Sequence, residues 1–151
     1  MNEQDLNYSK GTISINLVHE ALLSAQHQGL NTQSILLKSG IPLELMQSSK
    51  ARVSVSQYAQ LWIELADAMN DEFFGMDSHP MRRGSFKLLS QSVMYAETLE
   101  KALQHILQFL NLVLDDFISQ LFVQENYAYI VIYEQKQTKR MFSYATYLML
   151  I

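Results

Sequence analysis

The chain of 151 residues contains no cysteine, two prolines and five glycines. Without a thiol it has no disulfide, no Cys-ligated zinc, no iron–sulfur cluster and no cysteine nucleophile. Gly11, Gly29, Gly40, Gly75 and Gly84 lie too far apart to form a phosphate-cradling loop and are spaced instead as helix ends and turns. The one Gly-Ser pair, Gly84-Ser85, lacks the G-x-S-x-G frame of a nucleophile elbow. Basic residues are scarce: 11 stand against 15 acidic ones, a net charge of −4. That balance suits a poor partner for a polyanion, because nucleic-acid affinity comes largely from neutralised phosphates. No apolar run approaches the roughly 18 residues that suggest a membrane span, and the opening "MNEQDLNYSKG" is polar and acidic rather than a signal sequence. The expectation is a soluble, cytoplasmic protein with no membrane partner.

Metal and catalytic patterns are missing as well. His19, His27, His79 and His105 include no i, i+3 or i, i+4 pair and no H-E-x-x-H, so no metal site is expected. Asp71-Glu72 and Asp115-Asp116 are neighbouring carboxylates, a pattern that reads as solvated helix ends rather than as an acid–base pair. The chain is therefore not expected to be an enzyme or to carry a cofactor.

What the sequence has is apolar content, 48%, enough for one domain with a sizeable core. From Thr12, Ile13, Leu17, Ala21, Leu22 and Ala25 recur at helical spacing up to Gly29. Asn31 then suits the N-cap of a short helix carrying Ile35 and Leu36, and Pro42 opens a third short piece. The two joined helices imitate a helix-turn-helix, but "TQSILLKSG" offers one lysine where a recognition helix needs donors to bases and phosphates. "KARVSV" reads as extended, and Ser56 is placed to cap a helix with Tyr58, Leu61, Trp62, Leu65, Ala66 and Met69 on one stripe. After "FFGMDSHPMRRG" come a helix facing Phe86, Leu89 and Val93, and a stronger one capped by Thr98 with Leu99, Ala102, Leu103, Ile106, Leu107 and Leu110.

Beyond Asp116 the period falls to two. "FISQLFVQ" and "YAYIVIYE", joined by Glu125-Asn126, form an antiparallel hairpin. Its tyrosines, Tyr127, Tyr129 and Tyr133, make either a half-buried aromatic ladder or a surface for a partner. "EQKQTKR" is a connection, and from Met141 a final helix presents Phe142, Ala145, Leu148 and Met149. Because "YLMLI" ends without a cap, the expectation is a truncated helix and a fragment of a longer polypeptide. The fold class is α+β: a predominantly helical N-terminal two-thirds, then the hairpin, then the truncated helix. Residues 1–11 are expected to be a flexible N-terminus and 12–151 the working domain.

Several segments resemble, in order, the effector-binding N-terminal domain of AraC-type transcription regulators, in the branch called the arabinose-binding domain. They are "LLKSGIP" with its Gly40-Ile41 turn, "ARVSVSQYAQLW" with Arg52-Val53 and Leu61-Trp62, and residues 71–109 with Asp71 to Met76, Gly84 to Leu88, Thr98-Leu99 and Ala102-Leu103. Met76 stands where leucine is usual, and Lys87 replaces a glycine. The resemblance implies a domain that senses a small-molecule effector and forms a homodimer. It further implies that DNA is bound only through a C-terminal pair of helix-turn-helix units, absent from this chain, whose state the effector biases. Two other readings stand beside it: a ligand-free oligomerisation module, and a haem or gas sensor using His105 or His79.

Small-molecule sites combine apolar walls with a few convergent polar groups. By residue type the ligand-binding candidates are Arg52, Trp62, His79, Arg82, Arg83, Tyr95 and His105. Each also has an ordinary structural reading: Trp62 in the core, Tyr95 at a helix end, Arg52 paired with Glu44 or Glu64, and Arg82 and Arg83 in solvent or in ion pairs rather than on an anionic effector.

Overall fold

A computed structural model describes residues 11–136 and 141–151. The expected flexible N-terminus lies, apart from Gly11, outside the described residues, as does most of the polar connection before the last helix. The described residues are mixed α and β, with six helices and two antiparallel strand pairs, in the expected order of helices, hairpin and a last helix. They divide into two compact units, one running to Met69 and the other from Asn70 to Ile151.

In the first unit, strand β1 (Thr12–Ser14) leads directly into helix α1 (Ile15–His27). The helix was expected to begin at Thr12; it begins at Ile15 because Thr12 to Ser14 pair with strand β2 (Arg52–Ser54) and Ser14 Oγ accepts from the Asn16 amide as N-cap. Ile15, Val18, Ala21, Leu22 and Ala25 form the buried face of α1. Helix α2 (Thr32–Lys38) is capped by Asn31, whose side chain accepts from the Ser34 amide, and Pro42 precedes a single tight helical turn, Leu43–Gln47.

Helix α3 (Val55–Met69) buries Leu61, Leu65 and Ala66. Its cap is Ser54, not Ser56: Ser54 Oγ accepts from the Gln57 amide at 3.1 Å while Gln57 Oε1 accepts from the Ser54 amide at 2.8 Å. This reciprocal pair satisfies two donors at the helix start, where a lone serine satisfies one.

The second unit holds helix α4 (Ser85–Val93), helix α5 (Leu99–Val113), strands β3 (Phe117–Gln124) and β4 (Tyr127–Glu134), and helix α6 (Met141–Leu150). Thr98 caps α5 through the Lys101 amide. The hairpin register runs from Gln124 opposite Tyr127 to Phe117 opposite Glu134, so Glu125 and Asn126 form its two-residue turn. At the core Phe73, Phe117 and Tyr147 are fully buried and meet edge to face or tilted, with ring centroids 5.4 to 6.4 Å apart. Helix α6 therefore turns Ser143, Thr146 and Tyr147 inward and leaves Leu148 and Met149 exposed, the reverse of the apolar face read from its sequence.

Candidate functional site

The loop from Asn70 to Gly84 is built on carboxylates. Asp71, buried, accepts from the amides of Phe73 (2.8 Å), Met81 (2.9 Å) and Gly75 (2.6 Å), which folds the loop back on its own start. That turn requires left-handed backbone, which Phe74 supplies at φ 57° and Gly75 at φ 66°. Glu72 accepts from the amides of Gly84 and Phe86 at the head of α4 and from the Arg83 guanidinium at 3.1 Å. Asp77 accepts from the amides of His79, Asp115 and Asp116, and Asp116 in return accepts from the Ser78 amide and hydroxyl. One member of each acidic pair is thus not a solvated helix end, whereas Asp115 is exposed just beyond α5, as its sequence suggests. Asp71 and Asp116 are buried, and their lone pairs replace the missing backbone partners of an irregular loop.

The predicted ligand-binding residues are dispersed. Arg52 and Trp62 belong to the first unit. Arg52 donates from Nε to Thr12 Oγ1 at 2.6 Å and from Nη2 to the Thr12 carbonyl at 2.7 Å, clasping β1 to β2, with neither Glu44 nor Glu64 as its partner. Trp62 is half-buried and meets Tyr58 edge to face at 5.9 Å. Burial raises the Tyr58 pKa from its usual 10.0, and a hydrogen bond with Trp62 opposes the rise.

In the second unit, the ring Nδ1 of His79 shares a hydrogen bond of 3.0 Å with the Val113 carbonyl, Arg83 pairs with Glu72, and Arg82 is exposed. Tyr95 and His105 are brought together. With Glu97, Lys101, Gln104 and Gln108 they line an open cleft of about 370 Å³, in which Lys101 pairs with Glu97 one helical turn away.

A second cleft, about 350 Å³, opens on the other flank of the same glutamines, between α5 and residues 119–122 of β3. Its helix wall is Gln104, Leu107, Gln108 and Asn111; no charged side chain lines it. Asn111 spans the gap: its Nδ2 donates to the Ser119 carbonyl and its Oδ1 accepts from the Ser119 amide, both at 2.8 Å. Ser119 Oγ sits 2.5 Å from the Tyr147 hydroxyl, and burial raises the Tyr147 pKa against the lowering effect of that bond. The volumes of both clefts suit a small molecule.

The residues by which sequence reasoning missed this cleft are amides. Gln104, Gln108 and Asn111 stand at i, i+4 and i+7 on one face of α5. That spacing is visible in the sequence, but a polar helix face ordinarily reads as solvent-facing, and its nearness to β3 is a tertiary fact.

Among the described residues no helix is long and apolar enough to cross a membrane. No curated protein and no solved structure matches the chain. A family model does: the arabinose-binding domain of the AraC transcription regulator, N-terminal, matches residues 29–151, which include all of the second unit and both clefts. The likeness read from the sequence started nearer residue 12, and the match begins at Gly29. The chain belongs to this family of effector-binding regulatory domains, which is a ligand-binding family and not an enzyme family.

Proposed function

We propose that the chain is the effector-sensing and dimerisation part of an AraC-type regulator, and that the effector sits against α5 in the second unit. The observation that carries this reading is the pair of clefts on either side of Gln104 and Gln108, inside the region that matches the family. Tyr95 and His105 are the effector contacts retained from the sequence, joined by Lys101 and the α5 amides. Arg52, Trp62, His79, Arg82 and Arg83 are not included, since they line neither cleft.

A ligand that binds one state of the domain better than another biases the DNA-binding part attached to it. Cytoplasmic location and DNA contact through that other part follow from the same reading. Dimerisation is supported by apolar side chains left exposed in the second unit, among them Leu88, Leu112 and Met149, and by the stacked rings of Phe122, Tyr129 and Tyr127 along the hairpin.

The test is a thermal-shift screen of the chain with sugars, sugar acids, amino acids, carboxamides and fatty acids, since any ligand of the folded state raises its stability. A saturable rise with at least one class supports the reading. Silence across all of them favours a ligand-free oligomerisation module.

A further inference from the structure

Asn111 shows what kind of group the edge of β3 accepts. In a hairpin closed by a two-residue turn, the residues flanking the turn form a hydrogen-bonded pair, and such pairs alternate along the ladder with pairs whose backbone groups point outward. With Gln124 opposite Tyr127, the inward-bonded residues of β3 are Gln124, Phe122, Gln120 and Ile118. Ser119, Leu121 and Val123 then turn their N–H and C=O toward the edge of β3 that no strand pairs among the described residues. The Asn111 bonds bear this out at Ser119, where one primary carboxamide satisfies both backbone groups of one residue.

Leu121 is the next outward residue, and it lines the neutral cleft beside Gln108 and Phe122. The Gln108 side-chain amide has no hydrogen-bond partner among the described residues. An N–H and a C=O on the same residue of an extended strand lie on the same side, so the complementary ligand must present an acceptor and a donor along one edge. A primary carboxamide or a lactam does so; a trans secondary amide points them in opposite directions, and a carboxylate has no donor. The cleft contains no cation to offset the burial of an anion.

We propose that the α5–β3 cleft takes an uncharged ligand bearing a primary carboxamide or lactam edge, which pairs with the backbone of Leu121 as Asn111 pairs with Ser119, while Gln108 supplies a further hydrogen bond and Phe122 an apolar wall. This rests on the reading that the domain binds an effector against α5, and it specifies the chemistry of the effector edge that enters this cleft, on the opposite flank of Gln104 and Gln108 from Tyr95 and His105.

Benzamide, benzoate and N,N-dimethylbenzamide share a ring and differ at the decisive edge, so they serve as probes against the isotopically labelled chain in amide-resolved NMR titrations. Benzamide is expected to shift the Leu121 amide and the Gln108 side-chain signals in a saturable way. The other two should bind roughly tenfold more weakly or not at all, the loss expected when the ligand covers edge groups without pairing them. Gln108→Ala should weaken benzamide binding while leaving the Asn111 and Ser119 signals in place. Equal shifts from all three probes, shifts that avoid Leu121, or no shift with benzamide would each overturn the proposal. Edge-to-edge pairing of two copies, seen as concentration-dependent shifts at Leu121 and Val123 without any probe, would overturn it too. A ligand found by thermal shift that leaves Leu121 untouched sinks this inference alone, whereas the absence of any stabilising ligand sinks the functional reading beneath it.

Discussion

Asp71 holds three amides with two oxygens, and asparagine cannot reproduce that arrangement. In Asp71→Asn one oxygen can still accept from Phe73 and Met81, but an NH₂ group then faces the Gly75 amide, donor against donor. The expected loss is about 1–3 kcal/mol, the range for a buried group left unsatisfied, read as a lower urea midpoint with an unchanged slope. Tyr147 offers a test that depends on pH. Burial raises its pKa above the usual 10.0, so as pH climbs the unfolded chain releases this proton before the folded one does. Its contribution is therefore whole below about pH 10 and is lost as pH rises from there through the folded pKa. Tyr147→Phe should cost about 1 kcal/mol at neutral pH through the lost bond to Ser119. It should also flatten the alkaline fall in stability, as measured by denaturant titrations at pH 8 and pH 11. Neither role was visible in the sequence: the amides that Asp71 binds are close in the chain but belong to an irregular loop with no period to read, and Ser119 lies 28 positions before Tyr147.

Among the elements, periodicity identified those long enough to repeat. Helices α3 and α5 and both hairpin strands lie where their spacing put them, with Thr98 as cap and Glu125-Asn126 as turn. The failures have physical causes. A three-residue strand such as β1 is too short for a period to register, so Thr12 to Ser14 merged with the helix behind them, whereas the β-branched valines around β2 marked it as extended. Helix α6 is apolar nearly all round, and a helix without a polar face has no direction to read; Tyr147 sets its orientation by packing on Phe73 and Phe117. At the head of α3 the reciprocal pairing with Gln57 selects Ser54 over Ser56. Ser54→Ala should lower the stability of the first unit by about 1 kcal/mol, and Ser56→Ala by distinctly less, with helix content followed by circular dichroism during thermal unfolding. An equal cost for the two would place the cap where the sequence alone suggested.

At the scale of the whole molecule, each unit has its own buried set, Ile15, Leu22, Leu61 and Leu65 in one and Phe73, Phe117 and Tyr147 in the other. The family was legible from ordered short segments, and the match over residues 29–151 shows it. The candidate site was legible only in part. Residue type selected Tyr95 and His105, which share a cleft, yet it favoured cations and aromatics over the glutamines and the asparagine that line the neighbouring one. If the domain dimerises through its exposed apolar side chains, sedimentation should show a concentration-dependent monomer–dimer equilibrium, and a single monomeric species at high concentration would count against it. The chain with its net charge of −4 should leave duplex DNA unshifted in a gel at ordinary salt. As an effector-binding domain, the chain should bind a small molecule in its folded state. The most direct measurement is its unfolding temperature across the chemical classes of the effector screen. One class should raise that temperature saturably, in step with an added stability of about 2.7 kcal/mol at a hundredfold excess over Kd. An unfolding temperature that no class moves would contradict it.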